Sequence, residues 1–524
     1  MSTILLCLLF NAGALWVFQK NLPIPGGAVF ILLCIAEYLA WAFIFKMQES
    51  INGRIFDDKA WVMGSYPNYY EQTEGNRWTA SKRVKEIMSK GELFLDQFRF
   101  DDSVFYRLST VYGLEKRFSN FECYANPIDF TQSGIIFGGM GSGKTEFYHS
   151  IIVQDNKFDR HIIFDTSGDF VQKHYRLLKD IILNPYDQRS HIWNPFEEAK
   201  TSPFVAEIFL TNLFNALSGS QKDFFNASAK QRYMKLFNDI LYNNSDLSSN
   251  EQFDLFIQQL KEYFEENKNH ERRSEADVAS TLHLTFEFFD YMNFCIQNGS
   301  PTFTIKEYLS RKSCKLFLLS RDDQRSKLTP FFTGFLAALT SVMLSQEDQK
   351  TSLTLFALDE YLSFAQNMDS ETLEGLNTRI RKKGGCLLPG VQYFPEQSNK
   401  EDSAQGITQK MLNSATYWFL FQGIDEYSLK KINNTIGKVR YKKEQIREQL
   451  TADPLNRKNY QIEEADMLNT SLFQSLGQNY EHITFIPSKR ILYKGYTPRA
   501  ELPSKKANYI QSENIERYYQ EVRV

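Results

Sequence analysis

Three short stretches carry side chains whose types and spacing could act on a phosphate ester. The first is GGMGSGKT, Gly138–Thr145. Gly138, Gly139, Met140, Gly141, Ser142, Gly143, Lys144 and Thr145 fit the spacing G-x-x-x-x-G-K-[ST]. The glycines let backbone N–H groups converge on phosphate oxygens, which a Cβ would obstruct. An apolar stretch, Gly134–Phe137, precedes the loop, and a helix-length segment, Glu146–Gln154, follows it. That context predicts a strand, a phosphate loop and a helix whose start adds partial positive charge. Lys144 then reaches the terminal phosphates and the Thr145 hydroxyl ligates magnesium. The expected ligands are ATP and Mg2+.

The second stretch is LTLFALDE, which ends in Asp359 and Glu360. An apolar strand ending in two acids suits a magnesium site, with Asp359 holding the ion through water and Glu360 polarising the attacking water. The same pattern also describes a helix N-terminal cap, and it gains force from lying downstream of the phosphate loop. The third stretch is RKKGGCLLPGVQ, Arg381–Gln392. Gln392 at its tip is placed to sense a terminal phosphate, as in RecA-like motors. Arg381, ahead of the strand, reads in two ways. It is an arginine finger for a neighbouring subunit's nucleotide, or, with Arg379, Lys382 and Lys383, the solvated end of a helix.

These residues need a scaffold, and the pattern around them supplies one. From Ser133 onward, short apolar runs (GIIFGG, HIIFD, DIILN, KLFLLS, LTLFALDE, GGCLLPGVQ, ATYWFLFQ) alternate with helix-length segments. Such alternation predicts an α/β domain with a largely parallel sheet. Between Pro203 and Gly299 it gives way to helices alone, with apolar residues at three- and four-residue spacing. The expected fold is therefore a RecA-like P-loop NTPase domain over 131–200 and 300–495 with an all-α domain, 201–299, inserted in it; the other reading makes these helices crossovers of the main fold. Residues 47–130 read as a polar connector with short helical stretches such as Ser81–Ser89, and 496–524 as a short charged tail.

Two apolar segments open the chain, Thr3–Phe18 and Ala28–Phe45, separated by the polar turn QKNLPIPGG. Their length and all-round apolar character predict a two-helix transmembrane hairpin over 1–46. Lys46, Arg54 and Lys59 follow the second segment whereas the turn carries only Lys20. Positive-inside logic thus leaves the bulk of the chain in the cytoplasm. Glu37 within the second span either faces another protein helix or sits protonated or snorkelled.

Lys plus Arg number 60 and Asp plus Glu 63, a net charge of -3. Bulk charge therefore gives no sign of a nucleic-acid binder, and any such contact rests on a local field. The six cysteines include no CxxC pair, which points to a reduced main body and away from structural zinc.

In order along the chain, GGMGSGKT, FDTSGDF (Phe164–Phe170), LNPYDQRSHIWNPFEE (Leu183–Glu198), LFALDEYLSF and RKKGGCLLPGVQ resemble the coupling-protein ATPases of type IV secretion and bacterial conjugation. The resemblance spans roughly 120–490 and the two-span anchor. It implies a multi-pass protein of the bacterial inner membrane that assembles as a homo-hexamer, hydrolyses ATP between subunits, and hands relaxase-bound single-stranded DNA to components of the secretion channel. By position it implies Lys144 and Thr145 as the phosphate-loop pair, Asp359 and Glu360 as the magnesium and water acids, Gln392 as the strand-tip glutamine and Arg381 as the finger. Two other readings stand beside it, a coupling ATPase for protein effectors and a nucleotide-binding membrane scaffold without motor activity. The short external turn and the absence of a long acidic tail depart from the family pattern.

Overall fold

The computed structural model describes residues 70–74, 81–101, 118–218, 224–267, 273–349, 351–394, 411–444, 460–474, 476, 480–489, 491–504 and 506–522. The segments Thr3–Phe18 and Ala28–Phe45, with Glu37 and the flanking charges, lie outside the described residues.

The strands in chain order are β1 (Tyr70–Glu74), β2 (Leu93–Asp101), β3 (Phe118–Ala125), β4 (Gly134–Phe137), β5 (Arg160–Asp165), β6 (Ile181–Leu183), β7 (Ile192–Trp193) and β8 (Thr302–Phe303). They continue with β9 (Cys314–Leu319), β10 (Thr354–Leu358), β11 (Gly385–Val391), β12 (Tyr417–Phe421), β13 (Lys438–Glu444), β14 (Tyr460–Asp466), β15 (Glu481–Ile486) and β16 (Ile491–Tyr496). Eleven of them form one sheet in the order β3-β2-β16-β15-β12-β4-β11-β10-β5-β9-β6. From β12 to β6 every pairing is parallel. From β12 to β3 every pairing is antiparallel.

The parallel strands are short, apolar and buried along their whole length, as a sheet covered on both faces requires. Successive side chains alternate between two cores. Ile135, Phe137, Ile162, Phe164, Phe356 and Leu358 enter one. Ile136, Ile163, Phe317, Leu355, Ala357 and Phe419 enter the other. Because the period is two, a one-residue slip would exchange the faces, so this pattern sets the register.

Helices Pro195–Thr201, Val205–Ser218, Phe224–Asn243, Ser249–Asn267 and Arg273–Gln297 follow one another between β7 and β8. They do not form a core of their own: Phe209, Leu213, Phe288 and Phe289 are continuous with the first core. The junction is aromatic, with ring centroids 4.8 Å apart for Trp193–Phe209 and 5.0 Å for Phe288–Phe331. Phe331 lies on Arg325–Ser345, the central helix of the first core. Gly334 of that helix lets Val205–Ser218 approach closely, since a Cβ there would stand 2.8 Å from the Phe209 carbonyl oxygen. Among the described residues, the segment Asp322–Ser345 is long and apolar enough to cross a membrane; 78% of its apolar window is buried inside the fold, as in a core helix.

Two stretches that read as peripheral turn out to be structural. Within the connector 47–130, the helix Ser81–Met88 is followed by β2 and β3, which extend the main sheet. Their polar composition hides this, because the partner of β2 is β16, nearly 400 residues later. The buried Asp96 of β2 closes the junction, accepting from His482 Nε2 (2.9 Å), Thr484 Oγ1 (2.8 Å) and the Tyr493 hydroxyl (2.9 Å). The segment 506–522, read as tail, lies against the LNPYDQRS turn. Gln188 N donates to Ile510 O (2.8 Å), Ser512 N to Tyr186 O (2.9 Å), and the Arg189 guanidinium to Ala507 O (2.8 Å). It ends in the helix Asn514–Val522, where the Tyr518 hydroxyl donates to Asp290 of the helical region (2.9 Å).

Candidate nucleotide site

All seven parallel strands point the same way, so the loops at their carboxyl ends share one edge of the sheet, where such folds bind ligands. The sequence-predicted loop lies there, between the end of β4 and the helix Lys144–Ile152. Its seat is built by both flanking strands. Gly138 N–H donates to Val391 O of β11 (3.1 Å) and Gly139 N–H to Gln422 O, just past β12 (2.8 Å). A Cβ on Gly138 would stand 2.6 Å from Phe421 Cβ, and one on Gly139 3.1 Å from Gly423 O. Gly143, at φ 109°, begins the helix, and the Tyr480 ring packs against it. Met140 crowns the loop, 89% exposed, and Ser142 Oγ donates to Gly139 O (2.8 Å).

Lys144 folds back beneath this arch. Its Nζ donates to the Gly138 and Gly139 carbonyls at 2.7 and 2.8 Å. Burial pulls the amine below the usual lysine range, and Asp359 and Glu360 oppose that shift. Thr145 is the second residue of the helix and half-buried. Asp359 follows β10 and lies across the strand-tip glycine of β11: a Cβ on Gly390 would stand 2.6 Å from its Oδ1. Oδ1 accepts from Glu360 N (3.1 Å). Burial raises the Asp359 carboxyl above the usual range, with the Lys144 ammonium opposing.

Glu360 adopts φ 60°, a left-handed conformation that a glutamate takes only when its surroundings require it. Its carboxylate pairs with Arg325. Gln392 is half-buried directly after Val391, the residue whose carbonyl holds Gly138. Arg381 is exposed, in a short 3-10 turn at the opposite, N-terminal end of β11. A seven-residue strand spans roughly 23 Å. The structure therefore brings Gly138–Thr145, Asp359, Glu360 and Gln392 together and sets Arg381 on the far edge.

The motif FDTSGDF supports the loop helix from behind. Asp165 accepts from Ser167 N (3.3 Å), Gly168 N (2.8 Å) and Val171 N (2.8 Å), and burial pushes its carboxyl up to about 6. Asp169 accepts from His149 of the loop helix at 2.6 Å and from Lys173 at 3.0 Å. Chiefly the His149 contact holds its carboxyl down at about 2. Motif reading does not find Arg325, Gly390, Gln422, Gly423 or Tyr480. Of these Gly390, Gln422 and Gly423 leave a trace, each at or close to the end of an apolar run.

The donor set fits a nucleotide phosphate chain with Mg2+. A recessed ammonium hydrogen-bonds its own loop's carbonyls, glycines keep Cβ atoms out of the cradle, and a recessed carboxylate lies beside it. A bound phosphate would offset the burial of the ammonium, and a divalent ion that of the carboxylate. The described residues contain no cluster of three or more His, Cys, Asp or Glu side chains suited to a metal. An ion here would thus be shared between Thr145, Asp359 and phosphate oxygens.

Sheet, loop and helical region together define a RecA-like P-loop NTPase fold with a helical domain. Residues 127–461 match the type IV secretion-system coupling protein DNA-binding domain, and the chain belongs to that family. It is 25% identical over 284 residues to the coupling protein TraD of Escherichia coli strain K12, covering 51% of this chain and 38% of TraD. The chain thus spans well under half of that relative's length. The bacterial conjugative coupling protein TrwB in an unbound form superposes with a TM-score of 0.61 at 15% identity, over 86% of this chain and 98% of the other. TrwB with ADPNP gives 0.60 at 14% identity, over 86% and 99%. TrwB with ADP and Mg2+ gives 0.60 at 15%, over 86% and 100%. At these identities the likeness is one of fold.

Proposed function

We propose that this chain is an ATPase that couples ATP hydrolysis to delivery of relaxase-bound single-stranded DNA into a type IV secretion channel. It works as a homo-hexamer at the bacterial inner membrane, held there by the hairpin Thr3–Phe18 and Ala28–Phe45, with its bulk in the cytoplasm. The observation that carries this reading is the meeting of Lys144, Asp359 and Gln392 at one glycine-lined loop, in a member of the coupling-protein family. The family's description as a DNA-binding domain favours DNA over protein cargo.

The chemistry follows from the positions. Backbone N–H groups of the loop and Lys144 Nζ bind the phosphates, with Nζ exchanging loop carbonyls for phosphate oxygens. Thr145 and Asp359 would hold Mg2+, which neutralises phosphate charge when bound. Glu360 accepts a proton from the attacking water as the water oxygen bonds the γ-phosphorus. The bond from γ-phosphorus to the bridging oxygen breaks, and its electron pair leaves on ADP. Gln392 orients that water or the γ-phosphate. Arg381, too far along β11 to serve its own subunit, reaches a neighbour's site and stabilises the charge that develops there.

The test is steady-state ATP turnover of the full-length protein with and without single-stranded DNA. Stimulation by DNA is expected. Lys144→Ala should abolish turnover through loss of phosphate binding, while Glu360→Gln should retain ATP and stop hydrolysis. Turnover at the wild-type rate in either variant refutes the assignment, and turnover indifferent to DNA but raised by a secreted protein moves the cargo to proteins.

A further inference from the structure

We propose that Arg325 restrains Glu360, and that the C-terminal segment around Tyr509 holds Arg325 in place to do so; this rests on Glu360 being the water-polarising residue. The guanidinium of Arg325 bonds Glu360 Oε2. That bond takes up Oε2 and fixes where Oε1 points, so the carboxylate is free to turn toward a water only when the pair opens. Arg325 is not needed to build the site. The Glu360 backbone is already fixed, its N–H on Asp359 Oδ1 and its carbonyl accepting from Ser363 N (3.0 Å) and Ser363 Oγ (2.8 Å). Only the side chain is left to swing, and the arginine decides where it rests.

The pair is also built to open. Its side chains are 40% and 25% exposed, so water replaces the lost contact at little cost. What keeps it closed is the anchorage of the residue before it. Gln324 is held at both ends of its amide: Asn184 Nδ2 donates to its Oε1 (3.0 Å), and its Nε2 donates to the Tyr509 hydroxyl (3.1 Å). Tyr509 in turn donates to Tyr186 O (2.7 Å), and the Arg321 guanidinium lies 4.5 Å from the Tyr509 ring centroid. Asn184 and Tyr186 belong to the LNPYDQRS stretch, whose specificity the nucleotide chemistry leaves unused. The same C-terminal segment reaches the helical region through Tyr518 and Asp290. A movement of that region relative to the sheet thus has a physical route to Arg325.

The experiment measures kcat and KM for ATP on the full-length protein in lipid, for wild type, Lys144→Ala, Arg325→Ala, Arg325→Lys, Tyr509→Ala and the double variant Arg325→Ala/Glu360→Gln. An exposed pair restrains weakly, so Arg325→Ala should raise kcat about two- to fivefold at unchanged KM, equivalent to roughly 0.4–1 kcal/mol. Arg325→Lys, which keeps the charge, should stay near wild type. Tyr509→Ala should raise kcat in the same direction, and the double variant should fall to background. A lower or unchanged kcat in Arg325→Ala overturns the restraint, as does an increase that survives Glu360→Gln. No change in Tyr509→Ala overturns the part given to the C-terminal segment. If wild-type turnover persists in Lys144→Ala, the nucleotide assignment itself has failed, a result distinct from the others.

Discussion

Replacing Gly390 with alanine adds a methyl group where the structure has no room for one. The new carbon would lie 2.6 Å from Asp359 Oδ1, 2.9 Å from the Tyr148 hydroxyl oxygen and 3.2 Å from Asp359 Cα. Ordinary contact begins at 3.4 Å, so the carboxylate must retreat by 3.4 − 2.6, about 0.8 Å. Rotating the aspartate does not suffice, because its Cα is also crowded. Tyr148 cannot move away easily either, since its hydroxyl donates to Leu388 O (3.0 Å) on the same strand. Overpacking of this kind costs about 1–3 kcal/mol of stability, which a domain with so large a core tolerates. The catalytic loss falls directly on turnover, because displacing a catalytic group by about 1 Å lowers rates about 10²-fold. Gly390→Ala should therefore remain folded, bind nucleotide through Lys144, turn over about 10²-fold more slowly, and need more Mg2+ for half-maximal rate. Chemical denaturation and ATP turnover across a Mg2+ series measure both effects. Wild-type turnover and Mg2+ dependence in a folded Gly390→Ala protein would refute the placement of Asp359 as the metal acid.

Arg381→Ala should leave ATP binding nearly intact and cut hydrolysis by roughly 10³–10⁵. Mixed hexamers with Lys144→Ala subunits should recover activity, and no rescue in verified mixtures makes Arg381 a surface charge. Lowering pH should destabilise the fold. His161 and His174 are held at about 3 and about 2, chiefly by burial, so they stay neutral in the native state while the unfolded chain takes up protons below 6.5. Their contribution is complete above pH 6.5 and is lost as pH falls toward those values, about 2 kcal/mol each between pH 7 and 5. Asp165, raised to about 6, acts in the opposite sense and returns about 1 kcal/mol. The unfolding free energy from denaturant titrations should thus fall by a net of about 2–3 kcal/mol between pH 7 and 5, and a flat profile contradicts the burial of these histidines. Asp96→Ala should destabilise by about 3–5 kcal/mol, because it strips the buried partner of His482, Thr484 and Tyr493. A loss under 1 kcal/mol in the same measurement shows that the junction of β2 with β15 and β16 does not depend on it.

The parallel half of the sheet was legible because its rules are local. Buried strands read as apolar runs, and the phosphate loop needs its glycines, lysine and threonine within eight consecutive positions. Gln392 could be placed at a strand tip for the same reason. The antiparallel half was not legible, because Asp96 and Gln97 look like connector residues until Thr484 and Tyr496 arrive from the other end of the chain. Charge misled at the C-terminus as well. Residues 506–522 have the composition of a tail, yet Tyr509 and Tyr518 find partners in two different regions. Arg325 escaped for a third reason: nothing in its neighbourhood marks it, and only the fold brings it to Glu360.

The seat of the phosphate loop also has a consequence for how the protein is made. Gly138 to Thr145 leave the ribosome early, but Gln422 and Gly423, against which Gly139 rests, follow some 280 residues later, and Tyr480 later still. At 5–20 residues per second that interval is roughly 15–60 s. For most of it the nascent chain carries a complete nucleotide-binding signature with neither flanking strand present, and only after Val391 is made does it have one of the two. A ribosome-held chain stalled before Tyr417 should fail to retain a fluorescent ATP analogue that the finished protein binds. Retention by the stalled chain would mean that the loop does not need β12 or the strands after it. On the function proposed above, ATP binding then waits for the late strands that complete the loop's seat.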